Sequence, residues 1–296
     1  MNRLTRIAHA DAHEGPVHVA EEDALYFTSV PAPAVAIRRL DLRTGGVTTL
    51  VGDADGANGM TLAADGRLLV CVQGSLSTRA RLAYVDRETG EWQTLVDQVD
   101  GLPLNSPNDV VVGPDGAVWF TDPSYGWLQG FRPRPRRADA VYRVEPWSGR
   151  IDVVAEDFDK PNGIALSADG RRLYVTDSGA NQEPGSFYAD RPHHIRAFDV
   201  GDGGVVRGGA VLAVTDPGFP DGIKLDPAGR VHASAFSGVQ VFDPGSGALV
   251  DQIALPGAVN FAFGDDRLFI TTDTAVWAAV VSSKGASPWP ISAHAG

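Results

Sequence analysis

The feature that most constrains this chain is that it repeats itself. Three stretches, SPNDVVVGPDGAVWFTDPS from Ser106, KPNGIALSADGRRLYVTDSG from Lys160 and FPDGIKLDPAGRVHASAFSG from Phe219, share one plan. Each has a polar anchor, a short apolar strand, a turn containing Gly and a second strand. HEGPVHVAEEDALYFTS from His13, ANGMTLAADGRLLVCVQG from Ala57 and AVNFAFGDDRLFITTDT from Ala258 follow the plan more loosely. The anchors then fall at Glu14, Asn58, Asn108, Asn162, Asp221 and Asn260, separated by 44, 50, 54, 59 and 39 residues. A further hairpin usually follows, as in VAIRRLDLRTGGVTTLV and AVYRVEPWSGRIDVVAE, reversing at a Gly-centred turn. Four strands per unit at a period of roughly 40 to 50 residues is the pattern of a β-propeller. The expected fold is therefore all-β: a six-bladed β-propeller with four antiparallel strands per blade, spanning residues 1–296 as one domain. The last blade lacks a fourth strand, which Arg3 to Ile7 would supply to close the ring. Two stacked β-sandwiches also use short strands, but they give no reason for an anchor that recurs six times.

Composition narrows what such a fold works on. With 25 basic and 37 acidic side chains the net charge is −12, which repels phosphate backbones and anionic lipid and argues against nucleic acid and membrane partners. The single cysteine, Cys71 in LLVCV, excludes a disulfide framework and a thiolate zinc cluster, and its neighbours make it a buried strand thiol. The opening MNRLTRIAHADAHEG has no apolar run suited to a signal peptide, and no stretch is long and apolar enough for a membrane span. The chain reads as soluble and cytoplasmic; its oligomeric state is not legible.

In a propeller the anchors begin the innermost strands, so pseudo-symmetry sets their side chains at similar height around the axis. Asn and Asp commonly bond their own backbone in turns, which accounts for Asn58 and Asn260. That account is weaker for Glu14, a poor turn former. Two carboxylates converging with several amides in a narrow channel are costly unless neutralised, and a divalent cation is the simplest neutraliser. The candidate donors are all oxygens, which favours Ca²⁺, with Mg²⁺, Mn²⁺ or Zn²⁺ as other candidates. Motifs for a nucleophile elbow, a phosphate-binding loop, a dinucleotide fold or a zinc protease are absent. Asp53 and Asp55 in GDADGANG look like the start of a calcium loop, but the Glu that would close it is missing, so a solvated turn is expected there.

Glu14-Gly15-Pro16, Ser106-Pro107-Asn108-Asp109, Phe120-Thr121-Asp122-Pro123, Pro161-Asn162-Gly163 and Asp221-Gly222, in this order, resemble the regucalcin/gluconolactonase (senescence marker protein-like) family of six-bladed propellers. TDPSYGWLQGFRPRP, with VYRVEP and KPNGIALS after it, is similar to the lactonohydrolase branch, which opens aldonolactones and pantolactone. The resemblance implies a single divalent cation on the axis acting on a lactone. It implies Glu14, Asn162 and Asp221 as metal ligands, with Asn108 as a further ligand or a contact to substrate. Some sugar-lactone members carry an arginine two residues before the third anchor; here that position is Ser106.

Two insertions account for the longest spacings. Residues 124–137, SYGWLQGFRPRPRR, and residues 180–195, ANQEPGSFYADRPHHI, both join second to third strands and so belong on the anchor face. Tyr125, Trp127 and Phe131 are expected to wall a substrate pocket, with Arg132, Arg134, Arg136 and Arg137 as candidate contacts to an oxygen-rich substrate. His193 and His194 are given no role. The expected activity is metal-dependent hydrolysis of an aldonolactone or similar small lactone, with Asp221 taking the proton of the attacking water. The alternatives are a phosphotriesterase of the diisopropylfluorophosphatase type, and a binding propeller whose metal is structural.

Overall fold

The structure, a computed structural model, describes residues 4–31 and 33–281; Arg3, read above as the start of the closing strand, lies outside them. Six four-stranded antiparallel sheets follow one another along the chain. The first comprises Ala12–Val19, Ala24–Ser29, Ile37–Asp41 and Val47–Val51, and the second Ala57–Leu62, Leu68–Val72, Arg81–Val85 and Trp92–Val96. First strands of neighbouring sheets touch around a common axis: Ala12–Val19 meets both Ala57–Leu62 and Phe261–Phe263. The sixth sheet takes three strands from the far end of the chain, Phe261–Phe263, Arg267–Thr272 and Ala275–Val280, and its outer strand, Leu4–His9, from the beginning. His9 pairs with Ala275 and Leu4 with Ala279. This closes the six-bladed β-propeller that the repeat implies.

Burial explains the strand composition. Blades stack face to face, so strands near the axis are covered on both sides, and Leu68–Val72 and Val118–Asp122 are buried along their whole length. The outer strand Leu249–Ala254 is exposed at every position except Ile253. The core lies between blades rather than within one. Val17, Tyr26 and Ile37 of the first blade pack on Met60, Val70 and Val85 of the second.

Two features fall outside the repeat. A two-stranded ribbon, Gln98–Val99 with Leu102–Pro103, precedes the third blade. It reverses at Asp100–Gly101, both at positive φ, the conformation a two-residue hairpin turn needs. The α-helix among the described residues is the single turn Tyr125–Leu128, and none of the described helices is long and apolar enough to cross a membrane.

Inner strands run away from the anchors, and their far ends line a cavity of about 930 Å³ walled by Val17, Met60, Val112, Leu166, Leu225 and Phe263. This cavity opens on the face opposite the anchors. Between it and the anchors, Lys224 Nζ reaches across to Asp109 Oδ2 at 3.4 Å.

Candidate active site

The anchors owe their position to departures from regular strand. Register shifts fall between Glu14 and Val17, Ala57 and Met60, and Pro161 and Ile164, so Glu14, Asn58 and Asn162 sit at bulges. Asn108, Asp221 and Asn260 stand just ahead of Val110–Val112, Ile223–Leu225 and Phe261–Phe263. A bulge re-aims a side chain that a regular strand would point into the blade interface. The glycine that follows four of the six anchors has a packing cause. A Cβ on Gly163 would lie 2.3 Å from the Asp221 carbonyl oxygen, and one on Gly59 would lie 2.4 Å from that of Asn108. Four blades thus press on the anchor of the next.

Hydroxyls on the second strands complete this linkage. Thr121 Oγ1 donates to the Asn162 carbonyl at 2.6 Å, Thr176 Oγ1 to that of Asp221 at 3.1 Å, and Thr28 Oγ1 to that of Asn58 at 3.2 Å. Across the seam of the ring, Thr271 Oγ1 donates to the His13 carbonyl at 2.7 Å. The aspartates beside two of these threonines hold the segment that leads into the anchor of their own blade. Asp122 accepts the N–H groups of Asn105 and Ser106, and Asp177 accepts those of Asp159 and Lys160. The Thr-Asp dipeptides, which carried no role in the sequence reading, are structural fasteners for the ring.

Within the ring, Glu14 is buried, and its Oε2 accepts the Asn260 amide at 2.7 Å and the Gly15 N–H at 3.1 Å. Burial raises its pKa, opposed by the charge of His13 and the Asn260 hydrogen bond. Asp221 is pushed well above the ordinary carboxylate range by burial and by the negative charge of Glu14, against His13 and a hydrogen bond from the Asn162 side chain. The structure therefore brings Glu14, Asn162 and Asp221 together. Among the described residues neither Glu14 nor Asp221 has a Lys or Arg partner. Asn108 is 7% exposed and its side chain has no protein hydrogen bond among the described residues. Asn260 makes the expected local bond, Oδ1 accepting the Phe261 N–H at 2.7 Å, but it also holds Glu14, so turn formation does not exhaust its role. Asn58 makes no such local bond, and its Oδ1 is buried without a partner.

Sequence reasoning missed His13. Its Nδ1 meets Asp273 Oδ1 at 2.7 Å across the seam. Burial alone would lower its pKa, but Asp273, Glu14 and Asp221 outweigh burial and raise it to about 9. The sequence signal was faint, a histidine beside one anchor and an aspartate 260 residues away.

The first insertion lies on the anchor face, as expected, but its side chains divide the work differently. Tyr125 is buried, its hydroxyl donating to the Ser178 carbonyl at 3.3 Å. Phe131 is half-buried, and Trp127 is 44% exposed. None of the three borders the cavity on the opposite face. Arg132, read as a candidate substrate contact, is buried and donates to the carbonyls of Ser75, Thr78, Leu104 and Asn105. Arg137 donates to the Val99 carbonyl and to the Tyr142 hydroxyl. Arg134 and Arg136 are exposed. Ser106 is fully buried, its Oγ donating to the Pro123 carbonyl and accepting the Gly126 N–H.

The model of the SMP-30/Gluconolactonase/LRE-like region matches residues 12–274. The chain belongs to this family. It is similar to a gluconolactonase of Zymomonas mobilis subsp. mobilis, 32% identical over 289 residues, covering 87% of this chain and 75% of that one. A gluconolactonase of Xanthomonas campestris with a solved structure is 31% identical at a TM-score of 0.81, over 94% of this chain and 89% of that one. A calcium-binding regucalcin of Agrobacterium tumefaciens, 19% identical, shares the fold at a TM-score of 0.74 over 96% of this chain and 95% of that one. In this SMP-30/gluconolactonase chain Glu14, Asn58, Asn108, Asn162, Asp221 and Asn260 all lie at one end of the channel, with both insertions on the same face. Among the described residues no group of three or more His, Cys, Asp and Glu side chains is placed to hold a metal ion by itself. Any cation on the ring would therefore draw on amide as well as carboxylate oxygens, a donor set that suits a hard divalent ion.

Proposed function

We propose that the chain is a lactone-hydrolysing enzyme acting on an aldonolactone or similar small lactone, with a divalent cation, Ca²⁺ by preference, at the anchor ring. One observation carries the reading. Buried Glu14 and half-buried Asp221 face one amide-lined channel, the charge of Glu14 raises the proton affinity of Asp221, and neither has a Lys or Arg partner among the described residues. His13, already bonded to Asp273, offsets this pair only in part, so the site calls for a further counter-charge. Similarity to gluconolactonases of Zymomonas mobilis and Xanthomonas campestris supports the chemistry. The unbroken ring of blades from Leu4 to Val280 supports reading residues 1–296 as one domain.

In this reading Glu14, Asn162 and Asp221 hold the cation, and Asn108 adds a ligand or binds substrate. The cation supplies charge to polarise the lactone carbonyl. Asp221 accepts a proton as a water oxygen attacks the carbonyl carbon; the ring C–O bond then breaks, and the proton returns to the leaving alkoxide, giving the hydroxy acid. Asn260 and Gly15 fix the Glu14 carboxylate. Tyr125, buried between the third and fourth blades, lies beside Asn162 and Asp221; burial and the Asp221 charge raise its pKa, and it stays with Trp127 and Phe131 in the wall facing substrate.

The test is proton release from glucono-lactone, other aldonolactones, pantolactone and a fluorophosphate, each with Ca²⁺, Mg²⁺, Mn²⁺, Zn²⁺ or chelator. Lactone turnover that chelator abolishes and a divalent ion restores is expected. Turnover of the fluorophosphate alone would replace the lactonase reading with phosphotriester hydrolysis, and inactivity throughout would leave a binding propeller.

A further inference from the structure

On the anchor face, aromatic rings form a row that begins beside Asp221 and ends in solvent. Phe219 lies two residues before Asp221 and packs edge-on against Phe236 at 5.3 Å between centroids. Phe236 packs on Phe187 at 5.6 Å, and Phe187 packs on His193 at 6.0 Å. Phe236 follows Ser234, whose Oγ accepts the Asp221 N–H at 3.1 Å, so the row is tied to the anchor by one strand end. Phe187 belongs to the second insertion, so the row joins the lid to the fifth blade.

The row is held firmly yet left uncovered. The Phe236 N–H donates to the Pro217 carbonyl, and its ring lies so close over Gly218, itself at φ +102, that a Cβ there would fall 2.4 Å from the ring. Even so, Phe236 is 47% exposed, Phe187 43% and the adjacent Tyr188 41%. Contiguous exposed aromatic surface beside a polar centre marks a place where a ligand completes the burial. Two of the four arginines of the first insertion are spent within the protein, Arg132 on four carbonyls and Arg137 on the Val99 carbonyl and the Tyr142 hydroxyl, whereas Arg134 and Arg136 are exposed to solvent.

From this juxtaposition we infer that the substrate is a lactone bearing an apolar substituent, an alkyl chain or an aromatic ring, which lies along Phe219, Phe236 and Phe187 while the lactone carbonyl reaches the anchor ring. The inference rests on the lactonase reading and, within its substrate class, selects a small apolar-substituted lactone over the polyhydroxylated aldonolactones. Apolar contact acts on affinity and on kcat/KM by the area it buries, so the effect grows with chain length rather than switching on at one group.

The test measures kcat/KM of the full chain with Ca²⁺ for γ-butyrolactone and its γ-alkyl homologues up to the octyl derivative, with glucono-δ-lactone alongside. One methylene in a closed hydrophobic pocket changes specificity by roughly 10-fold or more; on a half-open wall the whole series is expected to span about 10- to 100-fold. Phe236→Ala and Phe187→Ala should each flatten the slope of log kcat/KM against chain length, and Phe236→Leu should restore part of it. A flat wild-type slope beside good turnover of glucono-δ-lactone overturns the inference and leaves the lactonase reading standing. An unchanged slope in both alanine variants also overturns it. Inactivity toward every lactone in the panel removes the lactonase reading and this inference together.

Discussion

Asn260 donates its side-chain N–H to Glu14 Oε2 at 2.7 Å across the seam where the sixth blade meets the first. The bond fixes one carboxylate of the ring with an amide from a blade at the other end of the sequence, and the same amide accepts the Phe261 N–H through its oxygen. Asn260→Asp would set a third carboxylate against Glu14 in a buried site. Its melting temperature in chelator should fall by several degrees, and saturating Ca²⁺ should recover most of the loss; thermal scans with and without the ion check this. An equal loss in both conditions would assign Asn260 to packing alone.

Glu14→Gln removes a charged donor while keeping the shape. Calorimetric titration should show divalent-ion affinity at least 10-fold weaker, with lactone turnover recovering only at high ion concentration. A variant that binds and turns over like the parent would take Glu14 out of the ligand set.

Asp221→Asn separates holding the ion from moving the proton. The amide keeps one coordinating oxygen but is a far weaker base, so the ion should still bind while kcat falls by roughly 10²- to 10⁴-fold. Titration and hydrolysis on the same preparation decide between base and ligand only.

Arg132→Ala should free the first insertion. The guanidinium is buried against four backbone carbonyls, and hydrogen bonds to a charged group contribute about 1.5–3 kcal/mol each net of water, a sum reduced when the loops relax and water reaches the freed carbonyls. A net loss of about 2–4 kcal/mol in urea unfolding is expected, together with faster proteolysis within residues 124–137. Arg132→Lys, a single point donor in place of a fork, should recover less than half of the loss.

Asp226 sets an acid limit. Burial would raise its pKa, but hydrogen bonds from His232 and from the Arg230 backbone and side chain overcome burial and lower it to about 2. The folded value lies below the ordinary 3.8, so the stabilisation is present above pH 4 and is lost as pH falls from about 4 toward 2. Melting temperatures of the parent should drop across that window. Those of Asp226→Asn should start lower at pH 6 and converge with the parent near pH 2.

The repeat made the ring and the anchor positions legible, because a propeller spaces one chemical position per blade and the eye needs only the period. Even the close of the ring could be foreseen from a sixth copy with too few strands. The contacts that join blades were not legible. Backbone carbonyls carry no sequence signature, so Arg132 looked like a substrate contact when its partners are peptide oxygens of two neighbouring loops. His13 stands one residue away from the repeated position, and its partner Asp273 follows Thr271 and Thr272, where no anchor is expected. Phe236 carried no role in the sequence, because its placement depends on its own ring lying over Gly218 and meeting Phe187 of the second insertion.

The closing strand has a consequence in time. Leu4–His9 is made some 270 residues before its partner Ala275–Val280. At ribosomal speeds of roughly 5–20 residues per second, the first segment waits on the order of tens of seconds for its mate. During that wait five blades can stack while the sixth has no chain to build from, and the first blade keeps one face bare. Glu14, on that bare face, meets Asn260 only when the sixth blade arrives. Completion of the propeller and fixing of the Glu14 carboxylate are therefore one event, and a nascent chain stalled before it would be a curved, sticky fragment rather than a slow enzyme.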